Sequence, residues 1–225
     1  MKITFLGTGA ADWSPKKPET GEHRWLSSAL INDDLLIDPG PCVLDAIEKF
    51  KIDAQKIKYI IVTHRHGDHF NEETLKSLCG LGAELVEFSA EDEKKVGKYT
   101  VKAVPANHPT CVPTVHFFID DGEKRIFYGL DGAWLLMSEV DAIKEKHVDL
   151  AVLDATIGNR PGDYRIFEHN NLKMVVEMKE TLSKYIDRFV ISHMARTLHD
   201  PHDVLAAEMQ KENIETAFDG LVLEI

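Results

Sequence analysis

A chain of 225 residues with 44% hydrophobic content is long enough to bury a core without covalent staples, and it reads as one domain over residues 1–225. Its formal charge of −12 argues against a long nucleic acid as partner, because such binding rests on Lys and Arg neutralising phosphates. The 3 cysteines, Cys42, Cys79 and Cys111, form no CxxC pair, and no apolar run approaches the roughly 20 residues that cross a bilayer, so a reduced, cytoplasmic protein that does not span a membrane is expected.

Residues 2–6 read as a strand, after which Gly7-Thr8-Gly9 turns the chain. A phosphate cradle there would need a following helix, and Ala11-Asp12-Trp13-Ser14-Pro15 reads as a loop instead. Ala29-Leu30-Ile31 and Leu35–Asp38 form a hairpin across Asn32-Asp33-Asp34. Asp38-Pro39-Gly40-Pro41 stops the second strand and starts a helix over Cys42–Phe50. Ile57-Lys58-Tyr59-Ile60-Ile61-Val62 is β-branched and apolar, a buried strand that opens into the polar loop Thr63-His64-Arg65-His66-Gly67-Asp68-His69. A helix follows over Glu72–Cys79 with Asn71 as N-cap. Leu85–Ser89 and Tyr99–Val104 are short strands, and Thr114–Asp120 with Lys124–Gly129 make a hairpin across Asp121-Gly122. Helical spacing runs through Trp134–Lys146 and Asn170–Tyr185, around the buried strand Val148–Asp154. Arg188–Ser192, a helix over Asp203–Lys211 and a strand over Leu221–Ile225 complete the chain. With no Pro/Gly/Ser linker and strands in hairpins and then alternating with helices, the pattern is α/β with antiparallel content.

The loop after Val62 carries the chemistry. Four side chains able to bind a metal, His64, His66, Asp68 and His69, fall within six positions at a strand's C-terminal end, where α/β folds keep their sites. Imidazole and carboxylate hold zinc, manganese or iron when no thiolate is supplied.

His64-x-His66-x-Asp68-His69 resembles the HxHxDH motif of the metallo-β-lactamase superfamily, whose members are mostly dinuclear hydrolases. The resemblance implies a four-layer αββα sandwich of two mixed sheets with helices on the outer faces. It implies two divalent metal ions as cofactors, His64, His66 and His108 holding one, Asp68, His69 and His193 the other, and Asp131 both. Asp68 counts with the catalytic residues as well as the ligands. Asp154, also at a strand end, and His199 and His202, near His193, are the competing residues. Two such cations roughly 3.5–4 Å apart acidify a bridging water, the expected nucleophile, and stabilise charge on attacked and leaving oxygens, which suits a phosphodiester. The leaving group then needs a proton, and His169 is the candidate general acid.

Within the superfamily the Gly7-Thr8-Gly9 start, Arg24 with Ser27-Ser28, Ile37-Asp38-Pro39-Gly40-Pro41, Asn107-His108, Asp131 and His169 resemble the group containing the phosphoribosyl cyclic phosphodiesterase of carbon–phosphorus lyase metabolism. The cysteine-rich zinc site of that enzyme has no counterpart here. Leu153-Asp154-Ala155-Thr156 is similar to a motif of tRNA 3′-processing endonucleases that pairs an acid with a histidine, with Asp154 in place of glutamate. The expected activity is therefore a metal-dependent phosphodiesterase on a small cyclic or nucleotide-like phosphodiester. The alternatives are tRNA 3′ processing, which would call for a flexible arm and a basic surface, thioester or lactone hydrolysis, and a non-catalytic metal-dependent sensor. Arg160, Arg165 and Arg196 are candidates to hold a further phosphate, and Trp13, Trp25 and Trp134 read as packing under loops. A homodimer stays open.

Overall fold

The computed structural model describes residues 1–16 and 21–225. In chain order its strands are β1 (Lys2–Gly7), β2 (Ser28–Ile31), β3 (Leu35–Ile37), β4 (Tyr59–Ile61), β5 (Glu84–Leu85), β6 (Glu93–Val96), β7 (Tyr99–Pro105), β8 (Val115–Asp120), β9 (Arg125–Gly129), β10 (Val148–Asp154), β11 (Ile186–Ser192), β12 (Glu215–Thr216) and β13 (Val222–Glu224). Its helices are α1 (Val43–Lys49), α2 (Glu72–Gly80), α3 (Met137–Glu145), α4 (Leu172–Leu182) and α5 (His202–Lys211). One sheet has the order β13-β1-β2-β3-β4-β5 and the other β12-β11-β10-β9-β8-β7-β6. Both are mixed: β3, β4 and β5 pair in parallel beside antiparallel neighbours, and β9, β10, β11 and β12 pair in parallel beside an antiparallel β6-β7-β8-β9 meander.

Strict alternation along the strands builds the layers. Ile3, Phe5, Ala29, Ile31, Leu35 and Ile37 of the first sheet meet Phe117, Ile119, Ile126, Tyr128, Leu150 and Val152 of the second in one buried cluster between the sheets. The intervening residues Leu6, Leu30, Leu36 and Ile60 face the other way, against Val43, Ala46 and Ile47 of α1 and Leu78 of α2. Phe118, Phe127, Ala151, Leu153 and Ile191 likewise cover α3, α4 and α5 through Ile143, Val175, Met178 and Leu205. Central strands must therefore be apolar on both faces, as their sequences are. The result is the αββα layering expected above.

The strand directions place the site. Because β7 and β9 both run antiparallel to β8, and β10 and β11 run parallel to β9, the C-terminal ends of β7, β9, β10 and β11 gather at one edge of their sheet. His108, Asp131, Asp154 and His193 lie at or just beyond those four ends.

Some boundaries differ from the sequence pattern. The strand expected over Leu85–Ser89 is paired only at Glu84–Leu85, at the edge of its sheet, where solvent-facing residues need no partner. β6 carries the polar run Glu93-Lys94-Lys95 at an edge of the other sheet and shows no apolar alternation to announce it. α3 starts at Met137 rather than Trp134, because Trp134 takes a left-handed φ of 51° that no helix tolerates, and the Glu139 carboxylate accepts from the Leu136 N–H at 2.6 Å. The Gly7-Thr8-Gly9 segment is a turn without a following helix. A Cβ at Gly7 would stand 2.0 Å from the Leu26 carbonyl oxygen, so close backbone approach explains that glycine.

Candidate metal centre

The loop after β4 is fixed from behind by Asp38, at the end of β3. Its carboxylate accepts from the Thr63 N–H at 2.7 Å, from the Thr63 hydroxyl, and from His69 Nδ1 at 2.8 Å. A Cβ on Gly40 would lie 2.5 Å from the Asp68 carbonyl oxygen, so glycine lets the two loops meet. Having donated to Asp38, the Thr63 hydroxyl accepts from His64 Nδ1 at 3.0 Å. His108 Nδ1 donates to the Glu168 carbonyl at 3.3 Å, and His193 Nδ1 to the Thr156 hydroxyl at 2.7 Å. In each of these four histidines the outer nitrogen is the donor, so the neutral ring presents its Nε2 lone pair inward.

The inward atoms converge. His64 Nε2 lies 3.0 Å from His66 Nδ1, which lies 3.2 Å from His108 Nε2. His69 Nε2 and His193 Nε2 are 3.1 Å apart, and each is 3.4 Å from Asp68 Oδ2. Asp131 stands between the groups and divides its oxygens: Oδ2 is 3.3 Å from His64 Nε2 and 3.7 Å from His108 Nε2, while Oδ1 is 2.8 Å from His193 Nε2 and 3.3 Å from His69 Nε2. All seven residues singled out from the sequence are thus brought together as two donor groups, His64, His66, His108 and Asp131, and Asp68, His69, Asp131 and His193.

The electrostatics are those of a site built around cations. Burial and the neighbouring His69 push the His64 pKa down, and burial pushes His108 down to about 4. In the other group burial opposes charging, but Asp131 and its neighbouring carboxylates win and hold His69 and His193 well above the ordinary value. Asp68 and Asp131 are correspondingly held low by those histidines against the cost of their own burial. Asp131 Oδ1 is buried and receives no well-formed hydrogen bond. Converging lone pairs and an orphaned carboxylate oxygen are satisfied by positive charge, and this imidazole and carboxylate donor set fits divalent cations.

Asp38, Asp131 and His193 have φ of 60°, 59° and 61°, left-handed values that cost non-glycine residues about 1–3 kcal/mol each. Burial of a few aliphatic side chains, at about 1.5–3 kcal/mol each, offsets that strain, and the two-sheet core supplies them.

His169 is on the rim of the same cleft, which encloses about 460 Å³. Its Nδ1 lies 2.9 Å from Asp154 Oδ2, and its ring stacks on His193 at 5.5 Å and 19°. The shorter acid therefore does reach the histidine. Asp154 is fully buried and also accepts from the Thr156 N–H, the Thr156 hydroxyl and the Asn170 N–H. Burial opposes charging of His169, but Asp154 outweighs it and raises the pKa. Asp154 approaches His193 only at its outer nitrogen, Nδ1, 3.5 Å away, so Asp131 is the better placed of the two carboxylates to share donors.

His199 and His202 stay outside the cluster: His199 Nε2 lies 2.6 Å from the Ala155 carbonyl and His202 Nδ1 3.0 Å from Arg24. Of the three arginines only Arg165 lines the cleft, and Asp163 holds it at 2.8 and 2.7 Å. Trp13 and Trp25 are packed beneath loops, as expected, whereas Trp134 is half-exposed. The sequence reading missed Asp38, Thr63, Thr156 and the Glu168 carbonyl, the outer partners that orient the histidines. The Asp38-Pro39-Gly40-Pro41 stop, placed one strand before the motif, and the Leu153-Asp154-Ala155-Thr156 segment offered the available signals.

The family profile for anti-Pycsar protein Apyc1 matches residues 1–76. Ribonuclease Z of Aeropyrum pernix is 35% identical over 75 residues, 32% of this chain and 22% of its own length, so the match spans about a fifth of that relative. Among solved structures, a diphosphatase from the PhnP family superposes with a TM-score of 0.74 at 20% identity, over 100% of this chain and 97% of its own. YhfI from Bacillus subtilis, a metallo-β-lactamase fold protein, gives 0.76 at 17% identity, over 100% and 99%. The chain has the metallo-β-lactamase fold.

Proposed function

We propose that this protein is a dinuclear metal-dependent phosphodiesterase acting on a small cyclic or nucleotide-like phosphodiester. The observation that carries the proposal is the division of the Asp131 oxygens between two histidine groups, each with its lone pairs turned inward. His64, His66 and His108 would hold one cation, Asp68, His69 and His193 the other, and Asp131 both. Bound divalent cations supply Lewis acidity, acidifying water and offsetting charge on phosphoryl oxygens. His169 Nδ1 is turned to Asp154, so its Nε2 is the atom that gives a proton to the departing oxygen.

The remainder of the cleft argues for a substrate with one phosphate. Its other charged residues are Asp12, Glu168 and Arg165, and Arg165 is already paired with Asp163. A second phosphate would meet carboxylates without a free cation among the described residues, which disfavours polyanions. Similarity to the Aeropyrum pernix ribonuclease Z over about a third of the chain supports the same chemistry, and tRNA 3′ processing is the second reading. No helix of the described residues is long and apolar enough to cross a membrane. Protein stripped by chelator and reloaded with manganese or zinc is expected to hydrolyse bis(p-nitrophenyl) phosphate and a subset of a cyclic phosphodiester panel. An intact panel with either metal would move the assignment to carboxylic ester and thioester substrates or to a binding role.

A further inference from the structure

A buried pair outside the donor set stands directly behind Asp131. His116, on β8, is 1% exposed, and Glu139, on α3, is 0% exposed. His116 Nδ1 lies 2.5 Å from Glu139 Oε1, and its Nε2 lies 3.1 Å from the carbonyl oxygen of Leu130. Both partners are acceptors, so both ring nitrogens carry protons. The second Glu139 oxygen accepts from the Leu136 N–H, which ties the pair to the start of α3. The ring is also wedged into the turn that carries Asp131. A Cβ on Gly132 would stand 2.8 Å from His116 Cε1, and one on Gly129 3.4 Å from Nδ1.

We propose that His116 and Glu139 are positioning residues that hold the Leu130 peptide, and through it the left-handed backbone at Asp131, so that the Asp131 carboxylate keeps its oxygens divided between the two donor groups. The inference rests on the reading of Asp131 as the shared ligand. Strand pairing ends at Gly129, and two residues later the chain has a φ of 59° at a non-glycine residue. Such a conformation persists only where its surroundings over-determine it. The His116 hydrogen bond to Leu130 fixes one side of the turn. On the other, the Ala133 N–H donates to the Asn107 carbonyl and the Asn107 side chain donates back to Ala133, next to His108. A carboxylate aimed at two groups at once tolerates little rotation, and outer partners of this kind typically carry about 10–100-fold in metal affinity.

A merely structural ion pair makes a different prediction, since replacing both partners by apolar groups is often neutral for stability. Two variants separate the accounts. His116→Phe/Glu139→Gln removes the donor to Leu130 and the charge while keeping an acceptor for Leu136, and His116→Phe/Glu139→Leu replaces the whole pair by apolar groups. In metal-free protein, hydrogen exchange at the Ala133 amide, followed by mass spectrometry, is expected to quicken about tenfold or more while β1 and β2 are unchanged. Manganese, titrated against a competing chelator, is then expected to bind about tenfold more weakly or worse. Exchange within twofold of wild type overturns the proposal, and so does faster exchange with unaltered manganese affinity. If the wild-type protein takes up no manganese, the reading of the centre fails on that result alone, and exchange still decides whether the pair holds the turn.

Discussion

Asp131→Ala is expected to abolish binding at both donor groups and to lower phosphodiester turnover by roughly a thousandfold or more, since metal Lewis acidity contributes on the order of 4 kcal/mol to such a transition state. Its two oxygens serve the two groups: Oδ1 faces His69 and His193, and Oδ2 faces His64 and His108. Removing it also takes away the charge that holds His69 and His193 in their raised-pKa state. Alanine would sit badly at a φ of 59°, so loss of activity by itself could reflect a damaged turn. Asp131→Asn answers that objection, because asparagine tolerates the left-handed region and preserves volume while losing the charge. Both variants are expected to lose metal, measured by elemental analysis after dialysis, and the Asn variant is expected to keep the wild-type far-UV circular dichroism. Full metal content in a folded Asn variant would remove Asp131 from the centre.

For His169→Ala, substrate choice separates the acid's role from a structural one. A natural phosphodiester releases a basic alkoxide, and losing its proton donor is expected to cost about 10²–10⁴-fold in kcat. p-Nitrophenolate leaves without protonation, so bis(p-nitrophenyl) phosphate turnover should fall far less. Equal losses on both substrates would reduce His169 to a packing partner of His193, on which it stacks. The pH profile follows with a definite sign. Asp154 raises the His169 pKa, the protonated form is the active acid, and the rate on an alkoxide-leaving substrate therefore falls as pH rises through that value. In Asp154→Asn the largest raising influence on His169 is gone and burial still lowers the pKa, so the alkaline fall should move to lower pH. A profile that moves upward or stays fixed would contradict the pairing.

The central strands of the two sheets were legible because they are apolar on both faces, as Phe117-Phe118-Ile119 and Leu150-Ala151-Val152-Leu153 are. β6 was not, because Glu93-Lys94-Lys95 carries the pattern of an exposed edge and differs in no local respect from a loop. Among site residues, His64 to His69 announce themselves by density in one loop. His108, Asp131 and His193 were reached through family resemblance, since one residue per loop carries no local signal. The left-handed backbones at Asp38, Asp131 and His193 have no glycine to mark them, and they arise from tertiary packing. His116 and Glu139 lie 23 positions apart on a strand and a helix that meet only when the fold forms, so neither stood out.

Whether the converging donors hold two cations bridged by Asp131 is tested most directly by anomalous diffraction from crystals grown with manganese. Two peaks are expected, one among His64, His66 and His108 and the other among Asp68, His69 and His193, with an Asp131 oxygen on each. A single peak, or none at saturating manganese, would contradict a dinuclear centre and with it the proposed phosphodiesterase mechanism.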